Sequence, residues 1–517
     1  MAGQGKRHCW ECRRRCLVCD FTEPACRRCS ASGIACPGYS HVKPTRIKWL
    51  SPGKVVARTR PRRKGVSPTL TLPFDDLSIF DITHEARVLP QAAEYFNSCI
   101  YTDLAPLHEL AGGYNPHVYP LSTARLRHGA AAPDYLRFGM LCMTLSHRIN
   151  RLGDGPYSRT LTERFYRYWG LAVRSLNEHI GREDARTGDM IVAGVMTLLL
   201  TDIQNGTSLN WRCHLDGAYR LIMLRGGFSA VAGVRSLYPL LLSFWSVAVF
   251  GNTTSPASNL SMTEAHLSAL PLLLDQYHAA PSPFQLCPLP LVAELVRISH
   301  LRKQAFASTH SQPAQHLQLN DPDVSLYDHD FSVSASAILA RIDSFSPDLW
   351  ATSKAPSNTN PSAQQDWLLI GQAYRAAVVL YCILSLQGLV DLDWRTPFTA
   401  LRHARDLRVY LTAGLQSRRS KRFLIWPLVL LGVSAGAGLY PLQDKKREEE
   451  EDGVRGFVRE GLGDLSCFIG SSVPLTAKKV LEAFWRSAET GWDGCFDRPY
   501  VFTAQIAVDT SPLYETS

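Results

Sequence analysis

Residues 9–36 read CWECRRRCLVCDFTEPACRRCSASGIAC, and this stretch decides how the N-terminal part of the chain folds. Apart from Cys16, its cysteines follow the spacing C-x2-C-x6-C-x6-C-x2-C-x6-C and are Cys9, Cys12, Cys19, Cys26, Cys29 and Cys36. A C-x2-C pair is the spacing at which two thiolates from one turn reach a single tetrahedral zinc ion. The unit C-x2-C-x6-C occurs twice. The sequence therefore predicts a small metal-binding domain at the N-terminus, here called the head.

The number of thiols limits how the metal can be held. Two tetrahedral zinc ions have eight ligand positions, so six thiolates suffice only if two of them bridge both ions. The symmetric solution is that Cys9 and Cys26, the first thiol of each repeat, are the bridges. One ion is then held by Cys9, Cys12, Cys19 and Cys26, and the other by Cys26, Cys29, Cys36 and Cys9. The formal charge of minus two on this cluster is offset by arginines after the pairs: Arg13, Arg14, Arg15, Arg27 and Arg28.

This head resembles the binuclear zinc cluster of fungal transcription factors. The residues that carry the resemblance are Cys12-Arg13-Arg14-Arg15, Cys19-Asp20, Pro24 before Cys26, and the spacing to Cys36. The resemblance implies a domain of two short helices around two zinc ions, over residues 1–40. It also implies that the first helix lies in the major groove of double-stranded DNA and reads a CGG triplet.

Two positions depart from the family pattern. Cys16 and Val18 stand where the family usually has a basic residue, and the first of these positions often carries the base contact. Arg15 and then Arg14 remain as donors to a guanine, unless the arginines only compensate charge. Cys16 is either a spare thiol or a competitor of Cys19 as a ligand. The function therefore has an alternative, a zinc-binding nuclear interaction protein whose head has lost specific DNA readout.

Charge is concentrated at the N-terminus. Residues 1–65 hold 16 Lys and Arg against 3 acidic residues, a balance of +13, while the rest holds 39 against 43, a balance of −4. Such a head suits a polyanion, and DNA is the simplest one. Arg46 and Lys48 extend the predicted DNA-binding set. A further basic cluster is a candidate for nuclear import or merely a solvated charge run: Arg58, Arg60, Arg62, Arg63 and Lys64.

Residues 41–75 are predicted to be a basic, proline-rich linker. Prolines recur too often for a helix, so no dimerising coiled coil is predicted there. The chain is expected to bind DNA as a monomer or as a homodimer that pairs through the helical domain.

Residues 76–517 are predicted to be a large all-α domain. Apolar residues recur at helical spacing, as at Trp367, Ile370, Tyr374, Val378 and Tyr381, and Gly226-Gly227 should stop the helix around Leu215 to Ile222. Further helices are expected near 87–100, 134–150, 160–180, 188–204, 235–250, 289–305, 396–416 and 474–488. Residues 211–227 and Trp426-Pro427-Leu428 resemble elements of the fungal-specific transcription factor regulatory domain, which implies a module that contacts the transcription machinery or co-regulators.

Four local features have simple interpretations. Residues 423–440 are apolar enough to suggest a membrane span. We expect a buried core helix there instead, and we expect no membrane partner. The charged run 444–452 is expected to be a solvated loop, with an acidic activation surface as the alternative. Residues 251–262, 306–325 and 351–365 are expected to be flexible surface insertions. We expect the seven dispersed cysteines to be buried small residues. Because no signal peptide follows Met1, we expect the protein to lie in a reducing compartment.

The body offers no pattern typical of catalysis. It contains no G-x-S-x-G, H-E-x-x-H or G-x4-G-K-[ST] motif, and the glycines at 432, 436 and 438 are expected to serve helix packing. His214 is expected to be a core or capping histidine. The sequence as a whole therefore predicts a nuclear, zinc-dependent, DNA-binding transcription regulator that is not an enzyme.

Overall fold

The chain divides into two compact units, Met1–Asp75 and Asp76–Ser517. The computed structural model describes residues 9–14, 19–39, 85–110, 120–122, 132–153, 155–182, 188–206, 211–279, 287–310, 322–354, 361–393, 395–439 and 445–504. In the first unit, helix α1 is Trp10–Arg14 and helix α2 is Arg27–Ala31. The predicted linker at 41–75 lies outside the described residues, so the division into head and linker stays a prediction.

The second unit is built from helices. They are α3 (Glu85–Tyr95), α4 (Tyr101–Leu104), α5 (Pro106–Leu110), α6 (Asp134–Leu152), α7 (Pro156–Ile180), α8 (Asp189–Asn205), α9 (Trp211–Leu224), α10 (Phe228–Ala232), α11 (Tyr238–Thr253), α12 (Thr263–Ser268), α13 (Leu270–Ala279), α14 (Leu289–His310), α15 (Pro322–Ser344), α16 (Pro347–Lys354), α17 (Pro361–Leu386), α18 (Thr396–Gly414), α19 (Ile425–Ser434), α20 (Lys445–Ile469), α21 (Val473–Arg486) and α22 (Trp492–Cys495). A π-helical turn, Phe96–Ile100, joins α3 to α4. No β-strand occurs in the described ranges, which confirms the all-α prediction for this unit.

The core of the second unit is centred on Trp426 in α19. Its ring stacks on Tyr374 of α17 at 5.8 Å and meets Phe250 of α11 edge-on at 5.6 Å. The indole N–H donates to Thr253 Oγ1 at 2.8 Å, so this buried polar group is satisfied. Three helices that are distant in sequence are thereby tied at one residue.

The apolar stretch 423–440 is a core element, as predicted. It forms a 3-10 turn, Lys421–Leu424, and the ten-residue α19, in which every residue is buried. A bilayer-spanning helix needs about 20 residues, so α19 is too short to span one. By length and composition α17 could cross a bilayer, but 78% of its apolar window is buried within the protein. Both apolar stretches therefore serve the core.

The prediction that glycines 432, 436 and 438 serve helix packing holds for Gly432 in α19 and for Gly436 just after it, but not for Gly438, where a Cβ would lie no closer than 3.9 Å to another residue. A Cβ at Gly432 would lie 2.5 Å from Leu481 Cδ1, and one at Gly436 would lie 2.4 Å from Phe484 Cε1. Both contacts are with α21, so these glycines let α21 approach α19 closely.

Two local predictions were wrong. Residues 251–262 are no flexible insertion, because Asn252, Thr253, Thr254 and Ser255 are all buried and Asn252 bonds both backbone groups of Ser261. The run 444–452 is no loop, because α20 begins at Lys445. Within this helix, Glu450 pairs with Arg405 of α18. Of the other predicted insertions, 311–321 and 355–360 lie outside the described residues.

The prediction that the dispersed cysteines are all buried holds in part. Cys142, Cys287, Cys382 and Cys495 are buried. Cys99 is half-buried, while Cys213 and Cys467 are exposed on α9 and α20. The sequence offered no pairing pattern to separate the two groups.

His147 of α6 is a buried histidine, 3% exposed. The Tyr95 hydroxyl lies 3.2 Å from its Nδ1, and the Asp103 carboxylate lies 3.7 Å from its Nε2. Burial, together with the charges of Arg422 and Arg151, lowers the pKa of His147 to about 3. The folded protein therefore keeps this imidazole neutral.

Acidification is expected to destabilise the second unit through His147. The ordinary pKa is 6.5 and the folded one about 3, so the unfolded chain takes up the proton first and stability is lost as pH falls from 6.5 toward 3. His147→Gln should reduce the loss, which reaches about 1.4 kcal/mol per pH unit for one group. Denaturant unfolding of the full chain between about pH 7 and about pH 4 measures this.

The matched control is His310→Gln, since His310 is exposed. It should keep the wild-type pH dependence. Equal pH profiles for the wild type and His147→Gln would contradict the assignment. Some pH dependence should survive in His147→Gln, because burial also lowers the pKa of His266 to about 3.

Candidate metal centre

The two C-x2-C pairs adopt the same local geometry. Cys9 directly precedes α1 and Cys26 directly precedes α2. The Sγ atom of Cys9 accepts a hydrogen bond from the Cys12 N–H at 3.3 Å, and that of Cys26 accepts one from the Cys29 N–H, also at 3.3 Å. A single helical turn thus presents both sulfurs of each pair on one side.

The six thiols form two overlapping sets of four. One set is Cys9, Cys12, Cys19 and Cys26, the other is Cys9, Cys26, Cys29 and Cys36, and the sulfurs in each lie within 4.8 Å of one another. Cys9 and Cys26 belong to both sets. All are buried except Cys36, which is half-buried. Each set offers a metal ion four ligand atoms, drawn from the starts of the two helices and from one cysteine outside them, Cys19 or Cys36.

The sulfur spacing fits a tetrahedral metal. The Cys9 and Cys26 sulfurs are 3.6 Å apart, as are those of Cys12 and Cys26, and the Cys9 and Cys29 sulfurs are 3.8 Å apart. Zinc binds thiolate at about 2.3 Å, which makes the edge of a ZnS4 tetrahedron about 3.8 Å. Four soft thiolates in this shape favour zinc over magnesium or calcium, which prefer oxygen ligands. The residues present therefore fit the metal.

The loop between the halves is held by side chains. The Asp20 carboxylate accepts bonds from the Thr22 hydroxyl at 2.6 Å and the Arg27 N–H at 3.1 Å. The Tyr39 hydroxyl donates to the Thr22 carbonyl at 3.0 Å and lies 3.5 Å from Cys19 Sγ. Sequence reasoning missed Tyr39, because its only signal is a hydroxyl three residues after Cys36.

The surroundings of the sulfurs set their protonation. Burial raises the pKa of Cys29 to about 12 and also raises that of Cys12. Burial acts to raise the pKa of Cys19 too, but donors around the sulfur, among them Tyr39, lower it to about 6. A divalent cation would have to displace protons from the raised thiols, and its charge favours their thiolate form.

The predicted DNA-binding residues are placed only in part. Arg27 and Arg28 lie on α2 and are exposed. Arg13 and Arg14 belong to α1, but the structure does not describe their side chains. The remaining predicted residues lie outside the described part of the chain: Arg15, Cys16, Arg46, Lys48, Arg58, Arg60, Arg62, Arg63 and Lys64.

The described residues of the second unit contain no comparable group of metal-ligating side chains. Among the residues that the structure describes, only the two thiol sets gather three or more metal-ligating side chains. His214 of α9 lies 3.2 Å from the Asp202 carboxylate of α8 and packs edge-on against Trp169. It is therefore a packed histidine, as predicted.

Comparisons with known proteins agree on one family. A model described as the fungal specific transcription factor domain matches residues 92–498. The phomenoic acid biosynthesis cluster-specific transcriptional regulator of Leptosphaeria maculans is 42% identical over 516 residues, which cover 98% of this chain and 91% of that protein. No solved structure matches the chain. The family match begins after the cysteine-rich head, whereas the alignment with the Leptosphaeria maculans relative covers 98% of the chain.

The shared thiol Cys26 offers a direct test of the two sets. Cys26→Ala removes a ligand from both, so the full chain should lose all bound zinc, measured by elemental analysis after gel filtration. Cys142→Ala removes an equally buried thiol from the second unit and should keep the wild-type zinc content. Wild-type zinc content in Cys26→Ala would show that Cys26 is no ligand.

Proposed function

Because the chain belongs to the fungal-specific transcription factor family, we propose that it is a zinc-dependent transcription regulator that binds specific DNA sequences through its cysteine-rich head. One observation carries the proposal beyond the family: the two four-thiol sets that share Cys9 and Cys26. We assign it two zinc ions, a place in the nucleus with RNA polymerase II, and no enzymatic reaction.

Zinc would supply the folding energy of the head. The described parts of the head, residues 9–14 and 19–39, form two helices of five residues each, and their buried cluster consists of cysteines, with Phe21, Cys36 and Tyr39 packed beside it. So little apolar surface cannot offset the entropy of ordering the chain. On this proposal the ligands are Cys9, Cys12, Cys19, Cys26, Cys29 and Cys36, and removing the metal unfolds the head but leaves the helical unit folded.

DNA affinity would come from the basic N-terminal segment. Its net charge of +13 over residues 1–65 is complementary to the negative charge of the phosphate backbone. Arg27 and Arg28 are exposed on α2, where they can reach the phosphates. Arg13, Arg46 and Lys48 would add phosphate contacts, and the basic cluster at 58–64 would serve nuclear import. Phosphate contacts fix position but carry no sequence information.

Sequence readout would come from Arg14 and Arg15. A guanidinium can donate to O6 and N7 of one guanine together, which is the readout that a CGG-like triplet in the major groove needs. Cys16 and Val18 remove two basic groups from the same segment. That observation favours the second candidate function, a zinc-binding interaction protein whose head no longer reads DNA specifically.

The helical unit would connect the bound head to transcription. We assign it contacts with co-regulators or the transcription machinery, and a homodimer interface in case the chain does not bind DNA as a monomer. The name of the Leptosphaeria maculans relative further suggests that the target genes lie in one biosynthetic cluster.

Selection from random DNA, with the zinc-loaded full chain at near-physiological salt, tests the proposal. A CGG-containing site should be enriched. Arg15→Ala should lower the preference for that site over random DNA about tenfold or more, because a bidentate contact to guanine contributes about 1–3 kcal/mol of discrimination. Arg28→Ala, the matched control, should weaken binding to all sequences alike. Salt-sensitive binding without any enriched site would instead support the interaction-protein alternative.

A further inference from the structure

Five buried polar atoms of neighbouring residues in the second unit have no hydrogen-bond partner in the described part of the chain. They are Arg212 Nη1, Trp245 Nε1, Ser261 Oγ, Thr263 Oγ1 and His266 Nε2, none of which bonds any group in the described part of the chain. Trp245, Thr263 and His266 are each at most 2% exposed. Buried polar groups are nearly always paired, so a cluster of unpaired ones needs an explanation.

The five atoms belong to one neighbourhood. The rings of Trp245 in α11 and His266 in α12 are 5.4 Å apart. Thr263 lies one helical turn before His266 and so shares its face of α12. The charge of Arg212 acts on His266, and its Nη2 donates to the Asn259 carbonyl at 3.1 Å, two residues before Ser261.

The backbone at this place is strained. Met262, between Ser261 and Thr263, has φ 56° and ψ 17°, the left-handed conformation that a side chain disfavours. Buried Asn252 holds Ser261 by accepting its N–H at 3.2 Å and donating to its carbonyl at 2.8 Å. Such strain persists only where the surroundings enforce it, and it is common at ligand sites.

The chemistry of the five groups selects a ligand. Arg212 and Trp245 can only donate, the two hydroxyls can donate, and burial lowers the pKa of His266 to about 3, so its ring is neutral. A ligand that complements these donors presents a group of acceptor oxygens. Only Arg212 among the five is charged, and the Asp216 carboxylate also acts on it, so at most one negative charge of a ligand is matched, while a phosphate dianion would bury a second charge without a partner.

We propose that Arg212, Trp245, Ser261, Thr263 and His266 form a binding site for the carboxylate of a small organic acid. The indole ring of Trp211 lies beside the site, since the Arg212 guanidinium lies 5.6 Å from it. An acid with a planar apolar body would pack against this ring. This inference goes beyond the proposed function and does not depend on DNA binding.

Thermal unfolding of the full chain with sodium benzoate tests the site. Benzoate should raise the Tm with a saturating concentration dependence, because it binds the folded state only. Benzamide, the uncharged analogue, and sodium chloride should not. Arg212→Gln should weaken the apparent affinity for benzoate about tenfold, as expected for loss of a charge-assisted bond. Trp245→Phe keeps the apolar ring and should weaken binding without loss of folding.

Two controls separate the site from general effects. Arg220→Gln removes an exposed arginine from the same helix and should keep the wild-type response. Trp367→Phe removes an indole whose N–H already donates to the Leu110 carbonyl at 3.1 Å, so it should lower the Tm but keep the benzoate response. The proposal is overturned if benzoate leaves the wild-type Tm unchanged, if benzamide acts equally, or if Arg212→Gln responds like the wild type.

Discussion

The contact between the Cys9 and Cys26 sulfurs, 3.6 Å apart, is the constraint on which the head depends. These two residues precede α1 and α2 and belong to both four-thiol sets, so the two halves of the head share an edge. Sixteen residues separate them in the chain, and in the described residues the buried cluster around them consists of cysteines. With the proposed zinc ions bound, that shared edge would position both helices, and therefore the arginines that follow each C-x2-C pair. Metal binding, folding and DNA contact by the head would thus all depend on the same thiols.

The helical unit depends on packing instead. Trp426 ties α11, α17 and α19 through stacked rings and a hydrogen bond to Thr253. Gly432 and Gly436 then let α21 approach at distances that a side chain would forbid. Buried charges inside this unit are mostly paired, as for Arg302, which donates to the Asp493 carboxylate at 3.2 Å.

The sequence predicted what is periodic and local. The cysteine spacing predicted which thiols would share a set, and the 3.6-residue pattern predicted the main helices, because both depend on near neighbours in the chain. The predictions from the sequence were wrong where tertiary contacts outweigh the local amino-acid composition. The polar residues around Asn252 are buried because Asn252 satisfies the backbone of Ser261, and the charged run from Lys445 is helical where Glu450 meets Arg405. The role of Tyr39 and the cluster around His266 involve contacts that no local pattern encodes.

X-ray absorption at the zinc edge of the full chain tests the central claim most directly, because it reports ligand type and metal separation together. If the two four-thiol sets hold zinc, each zinc ion should have only sulfur neighbours, at about 2.3 Å. It also predicts a zinc neighbour at about 3 Å, since two ions at that bond length must share the 3.6 Å edge between Cys9 and Cys26. A sulfur shell without a metal neighbour, or a shell mixed with nitrogen or oxygen, would contradict the shared-thiol cluster.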